Sequence, residues 1–133
     1  MPNSMKSLGH ELRGMQKFLE INVSNNSEEI LERMSTLMSY MARSGEILAI
    51  SKHALRKKKT EKIHTDIIKI VSENKLSATI QNALLESICE QESFFVDWAD
   101  RINRACTHQI NGLRSMLSYE KEHLSLSKFG VGG

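Results

Sequence analysis

The chain of 133 residues carries 18 Lys and Arg against 16 Asp and Glu, a formal net charge of +2, with 40% apolar and 5% aromatic residues. That is one domain's length of chain, able to bury about two-thirds of its unfolded surface, and its apolar content and charge balance exclude a disordered polymer. So small a net charge argues for neither a nucleic-acid coat nor an enzyme of acidic substrates. No apolar run approaches the roughly 20 residues of a membrane span, and the start MPNSMKSLGH lacks a signal peptide's apolar stretch, so a cytoplasmic protein with no membrane association is expected.

Pro2 is the single proline, and three of the seven glycines fall in residues 130–133, so nothing between Asn3 and Phe129 forces a helix to stop. Strand formers are sparse in that span, while Leu, Met, Glu, Lys, Ser and Ala are abundant. The expected fold is all-α: an elongated antiparallel hairpin or bundle of three to four helices, forming one domain over residues 1–133 and ending in a long C-terminal helix. Cys89 and Cys106 lie 17 residues apart in what reads as one helical stretch. Such a stretch spans about 25 Å against the roughly 7 Å a disulfide allows, so two buried, reduced thiols are expected, with an intermolecular bridge or a kinked helix as the alternatives.

Residues 1–21 hold a short helix whose apolar face is Leu8, Leu12, Met15 and Leu19, spaced four, three and four and weakened by Gly9 and Gly14. Residues 22–27 are a polar linker, and Asn26 with Glu29 three residues on matches a capping box for the next helix. A helical arm over 28–73 comes next, with an apolar stripe at Ile30, Met34, Leu37, Met41, Leu48 and Leu55. Its gaps at Ser44 and near Ser51 are filled by small residues, and Ser44 with Gly45 marks a place where another helix can approach closely. The stretch Lys52–Lys62 is either solvated helix or a turn opened at Thr60. The pattern breaks at Ser72-Glu73-Asn74-Lys75, and Ser77 can cap the helix beyond it.

The last element spans 77–126 with apolar positions at Ile80, Leu84, Ile88, Phe95, Trp98, Ile102, Ala105 or Cys106, Ile110, Leu113, Leu117 and Leu124. An unbroken rod of that length would reach roughly 70 Å, against a radius of gyration of about 14 Å for a compact domain of this size. Either it breaks, near 90–93 in the polar patch Glu90-Gln91-Glu92-Ser93, or the protein is an elongated hairpin that needs a partner. Residues 127–133 are expected to be a flexible tail unless Phe129 docks into a partner subunit.

The net charge conceals two opposite blocks. Lys52, Arg56, Lys57, Lys58, Lys59 and Lys62 against Glu61 leave +5; Glu86, Glu90, Glu92, Asp97 and Asp100 give −5 with no base among them. In a hairpin turning near Asn74, Lys62 would face roughly Glu86 and Lys52 roughly Asp97, so the blocks can pair within the chain. Otherwise they pair between subunits, or the basic block holds an anion such as a nucleic-acid backbone, though without aromatic residues for base stacking.

The sequence has no HExxH, CxxC, GxSxG, phosphate-binding glycine loop or dinucleotide fingerprint, so no catalytic residues, metal ligands or cofactor are expected. On a helix Arg101, Arg104, His108 and Asn111 share one face, with Asn103, Thr107 and Arg114 on an adjoining one. This donor-rich, acid-poor stripe reads either as a polar seam hydrogen-bonded across a helix interface or as a site for an anion, since Arg forks suit phosphate and carboxylate. Trp98 reads as a core anchor or a stacking platform, and Met34, Met38 and Met41 read as adaptable core packing.

The run Arg101-Ile102-Asn103-Arg104-Ala105-Cys106-Thr107-His108-Gln109-Ile110-Asn111-Gly112-Leu113-Arg114, followed by Ser118-Tyr119-Glu120-Lys121-Glu122, resembles the C-terminal part of small all-helical accessory proteins of tailed phages and prophages. The stretch Met38-Ser39-Tyr40-Met41-Ala42-Arg43-Ser44-Gly45-Glu46 shares the resemblance. The resemblance implies a phage protein in the cytoplasm of an infected bacterial host, serving either counter-defence or recombination and replication. The resulting expectation is a non-enzymatic homo-oligomer that uses Arg101, Arg104, His108, Asn111 and Arg114, helped by the Lys52–Lys62 block, to sequester a nucleotide-derived immune signal. A nucleic-acid-binding recombination accessory and an inhibitor docking on a host defence protein are its rivals.

Overall fold

The structure, a computed structural model, describes residues 2–74 and 76–131. Its elements are α1 (Pro2–Leu19), α2 (Ser27–Lys62), a π-helical turn (Ile63–Ile67), α3 (Ile68–Asn74), α4 (Ala78–Ile88) and α5 (Glu90–Val131). The fold is all-α, as the scarcity of proline and strand formers requires. Composition suggests one domain, but the chain divides into two compact units: residues up to Ser44 with those from Arg101 onward, and Gly45–Asp100. Helices of 36 and 42 residues exceed what one core can cover, so α2 and α5 each give a segment to both units.

In the first unit, α1 runs antiparallel to the N-terminal half of α2, with Phe18 edge-on to Tyr40 at 5.2 Å and Arg43 gripping Glu11 through Nε and Nη2 at 2.8 and 2.7 Å. The C-terminal part of α5 is antiparallel to the same half of α2, joined by Asn103 Nδ2, which donates to Met41 O at 2.8 Å and to Ser44 Oγ at 3.2 Å. Leu8, Leu12 and Met15 of α1, Ile30 and Leu37 of α2, and Ile102, Cys106, Ile110 and Leu113 of α5 are buried. Each fully buried Leu or Ile contributes about 1.5–3 kcal/mol. Ser44 is sealed, so the close approach expected there is made by the α5 amide.

The junction into α2 realises half of the expected capping box. Asn26 Oδ1 accepts the N–H groups of Glu28 at 2.9 Å and Glu29 at 3.3 Å, satisfying two donors that the first helical turn leaves open. The Glu29 carboxylate instead takes the Ser24 hydroxyl, and Ser24 Oγ in turn accepts the Asn26 N–H at 3.3 Å.

In the second unit, Ile47, Ser51, Ile67, Cys89 and Ala99 are buried. Helix α2 continues through Thr60, whose hydroxyl back-bonds to Arg56 O at 3.0 Å, so there is no turn there. The ladder widens only at Ile63–Ile67, where Ile68 N–H reaches Ile63 O five residues back. Ser77 caps α4 by accepting the Ile80 N–H at 3.3 Å, as its position predicts. The break before α5 falls at Cys89 (φ −99°, ψ 19°), one residue ahead of the acidic patch expected to hold it. Glu90 and Glu92 then occupy the first turn of α5, where the helix dipole favours negative charge. Ile80 and Leu124, expected on the apolar stripe, are 48% and 62% exposed. The backbone remains helical to Val131, past the expected boundary at 126, since Leu124 to Phe129 contains no breaker. The expected docking of Phe129 and the last two glycines lie outside the described side chains and residues.

Both cysteines are free and fully buried, Cys89 in the second unit and Cys106 in the first. Burial pushes the Cys106 thiol above its ordinary value, which keeps it protonated and a poor nucleophile. Among the described residues no helix is long and apolar enough to cross a membrane.

Candidate functional site

The register of α5 in the first unit decides what the donor stripe does. Ile102, Cys106, Ile110 and Leu113 face the core, which turns Arg101, Arg104, His108 and Asn111 to the opposite side, and all four are exposed, as is Arg114 beside them. No Asp or Glu occurs from Arg101 to Tyr119. Arg104 and Asp100 are both engaged in interactions within the chain, so part of the charge at this end is held by the protein itself.

The polar seam across the helix interface also exists, but on different residues. Asn103 binds Met41 O and Ser44 Oγ, Thr107 Oγ1 lies 3.4 Å from Met41 Sδ, and Gln109 Nε2 donates to Leu19 O at 2.9 Å. The two readings of the segment therefore divide between two faces of one helix: Asn103, Thr107 and Gln109 bind the neighbouring helices, while Arg101, Arg104, His108 and Asn111 look outward.

The basic block belongs to the second unit. Lys52, Arg56 and Lys57 are exposed, Lys59 is half-buried, and Lys58 and Lys62 are already paired. Lys58 Nζ lies 2.9 and 3.1 Å from the Glu92 carboxylate, in nearly the register expected of a hairpin turning near Asn74. Lys62 pairs at 3.2 Å with Asp66 one turn along, and that contact with the Thr65 hydrogen bond draws the Asp66 carboxyl below its ordinary value. The +5 and −5 blocks thus meet within the chain at Lys58–Glu92.

All five histidines are exposed, and among the described residues no group of three or more His, Cys, Asp and Glu is placed to hold a metal ion. Trp98 is half-buried in an aromatic cluster with Phe94 and Phe95, at centroid distances of 5.6 and 6.1 Å. Met38, read as core packing, is 56% exposed.

One polar residue at the heart of the first unit escapes a reading by residue type. Arg33 is only 8% exposed; its Nη2 donates to Phe18 O at 3.2 Å, Leu19 O at 3.4 Å and Gln109 Oε1 at 2.8 Å, and its guanidinium lies 4.6 Å from the Phe18 ring centroid. It thereby caps the last carbonyls of α1, where the helix dipole favours a cation. The signal was the three-four spacing Ile30, Arg33, Leu37, which places the arginine on the apolar face.

Comparison with protein-family models, curated proteins and solved structures finds no match to this chain.

Proposed function

We propose that this chain is a non-enzymatic, homo-oligomeric accessory protein of a tailed phage that binds an anionic, nucleotide-derived signal of the host's defence and withholds it. The observation that carries the reading is the exposed stripe Arg101, Arg104, His108, Asn111 and Arg114 on α5, donor-rich and without a carboxylate from Arg101 to Tyr119. Guanidinium forks match phosphate oxygens, and a rigid helix presents them in fixed relation. The phage setting rests on the resemblance of residues 38–46, 101–114 and 118–122. Self-association is supported by Leu31 and Met38, seven residues apart on α2 and each 56% exposed.

The rival nucleic-acid reading is weakened by the Lys58–Glu92 and Lys62–Asp66 pairs, which leave Lys52, Arg56 and Lys57 as the exposed bases of the block. Three phosphate contacts on a single strand give a salt slope of only about −2. The test is to purify the full chain from infected cells, determine its mass in solution and identify nucleotides released on denaturation. A multimer releasing one unmodified nucleotide species, lost in Arg101→Ala/Arg104→Ala, is expected. A ligand-free monomer, single-strand binding with a much steeper salt slope, or co-purification with a host protein and no nucleotide would overturn the reading.

A further inference from the structure

A cleft of about 300 Å³ opens in the first unit where α1 ends. Its walls are mostly apolar, from Leu19, Ile21, Val23, Leu113 and Met116, and its polar groups are Asn22, Arg33 and Gln109. This volume falls at the lower end of the range of small-molecule sites.

The chemistry of the cleft is set by Arg33. A guanidinium has five N–H donors, and the hydrogen bonds of Arg33 to the protein all leave from Nη2. Nε and Nη1 have no hydrogen-bond partner among the described residues. Among the described residues Ser51 Oγ is the one sealed side-chain nitrogen or oxygen without a partner, so these two nitrogens are not sealed, and Arg33 lines the cleft. The positive charge is equally incomplete. Its protein partners are two carbonyls, an amide oxygen and a ring face; the carbonyls of a helix end carry roughly half a unit of negative charge, and among the described residues no carboxylate pairs with Arg33. A buried charge without an ionic partner is costly, and an anion in the cleft would offset that cost.

Gly112 lines the same cleft. Glycine is unfavourable inside a helix, yet a Cβ built at Gly112 meets nothing within 4 Å, so packing against the protein does not require it.

We infer that this cleft binds a small aliphatic monocarboxylate, its carboxylate on Nε and Nη1 of Arg33 and its chain against Leu19, Ile21, Val23, Leu113 and Met116. The apolar walls select a monoanion with a hydrocarbon tail over inorganic phosphate, and the site is separate from the outward stripe of α5.

The test uses hexanoate and hexan-1-ol as probes on the full chain, followed by amide chemical shifts of Gly112 and Gln109. Hexanoate is expected to move these signals saturably, and hexanol to bind at least about tenfold more weakly for want of the charge-assisted hydrogen bonds. Arg33→Met abolishes that preference. Gly112→Leu, whose added atoms meet no protein neighbour at Cβ, folds and loses hexanoate. Arg101→Ala/Arg104→Ala leaves hexanoate binding unchanged, which keeps this site distinct from the proposed nucleotide surface. Equal binding of acid and alcohol, undiminished hexanoate binding in Gly112→Leu, or no saturable shift in the wild type would overturn the inference. The acid–alcohol comparison and Gly112→Leu decide the matter even if Arg33→Met does not fold.

Discussion

Ser44 and Ser51 are both fully buried on α2, seven residues apart, yet truncating them to alanine should have opposite effects. Ser44 Oγ donates to Met41 O at 3.1 Å and accepts Asn103 Nδ2 at 3.2 Å. Ser44→Ala loses both bonds, although Asn103 keeps Met41 O at 2.8 Å, so the net cost is about 1–2 kcal/mol. Ser51 Oγ has no partner among the described residues. Burying a hydroxyl unsatisfied costs about 1–3 kcal/mol, so Ser51→Ala should gain about 1 kcal/mol after the small void left by the oxygen. The preference of a helix for Ala over Ser favours both variants alike, and their difference of roughly 2–3 kcal/mol reports mainly the hydrogen bonding of the two hydroxyls. Urea denaturation followed by circular dichroism at 222 nm should separate the two midpoints by about 0.7 M or more, given a slope of about 1–3 kcal/mol/M. A Ser51→Ala variant no more stable than Ser44→Ala would refute the assignment of Ser51 as an unsatisfied group.

The Arg43 hydrogen bonds hold the Glu11 carboxyl below its ordinary 4.5, so the pair contributes stability above that value, and the contribution is lost as pH falls through the lowered folded value. The deficit of Glu11→Gln in urea midpoint should therefore be present at neutral pH and vanish in strong acid; a pH-independent deficit would contradict it. With 32% and 17% side-chain exposure, Lys58 and Glu92 should show a coupling of about 1 kcal/mol in a double-mutant cycle with Lys58→Met and Glu92→Gln, falling with added salt. Because Cys89 and Cys106 are sealed, a thiol-specific disulfide reagent should label neither in the native protein and both in denaturant; fast native labelling would refute their burial.

The sequence carried more of the fold than of the chemistry. Leu8, Leu12 and Met15 are spaced as a helix face and are buried as one, and Ser77 stands where a cap must stand and acts as one. Ser44 and Ser51 are sealed where the apolar stripe has its gaps. The features that escaped depend on contacts made by residues distant in the chain. On α2 Arg33, Ile47 and Ser51 are buried, while Met34, Met41, Leu48 and Leu55 are only half-buried, because which side of a helix is covered depends on neighbouring helices that periodicity along one helix does not encode. The segment from Arg101 to Arg114 was legible as donor-rich, but which donors turn outward was set by the burial of Ile102, Cys106 and Ile110. Arg33 was invisible to a reading that sorts arginines with the surface, since its stability there comes from carbonyls at the end of another helix. The junction at Cys89 was misplaced by one residue because acidic side chains suit a helix start as well as they suit a loop.

We propose that a homo-oligomer of this chain holds a nucleotide anion on the outward stripe of α5. Native mass spectrometry of the full chain purified from infected cells tests it most directly, with the Arg101→Ala/Arg104→Ala variant measured beside it. The claim predicts a multimer heavier than the sum of its chains by a nucleotide's mass, in fixed stoichiometry, and loss of that extra mass in the variant. A wild-type protein whose mass is that of its chains alone, or a variant that keeps the added mass, would contradict it.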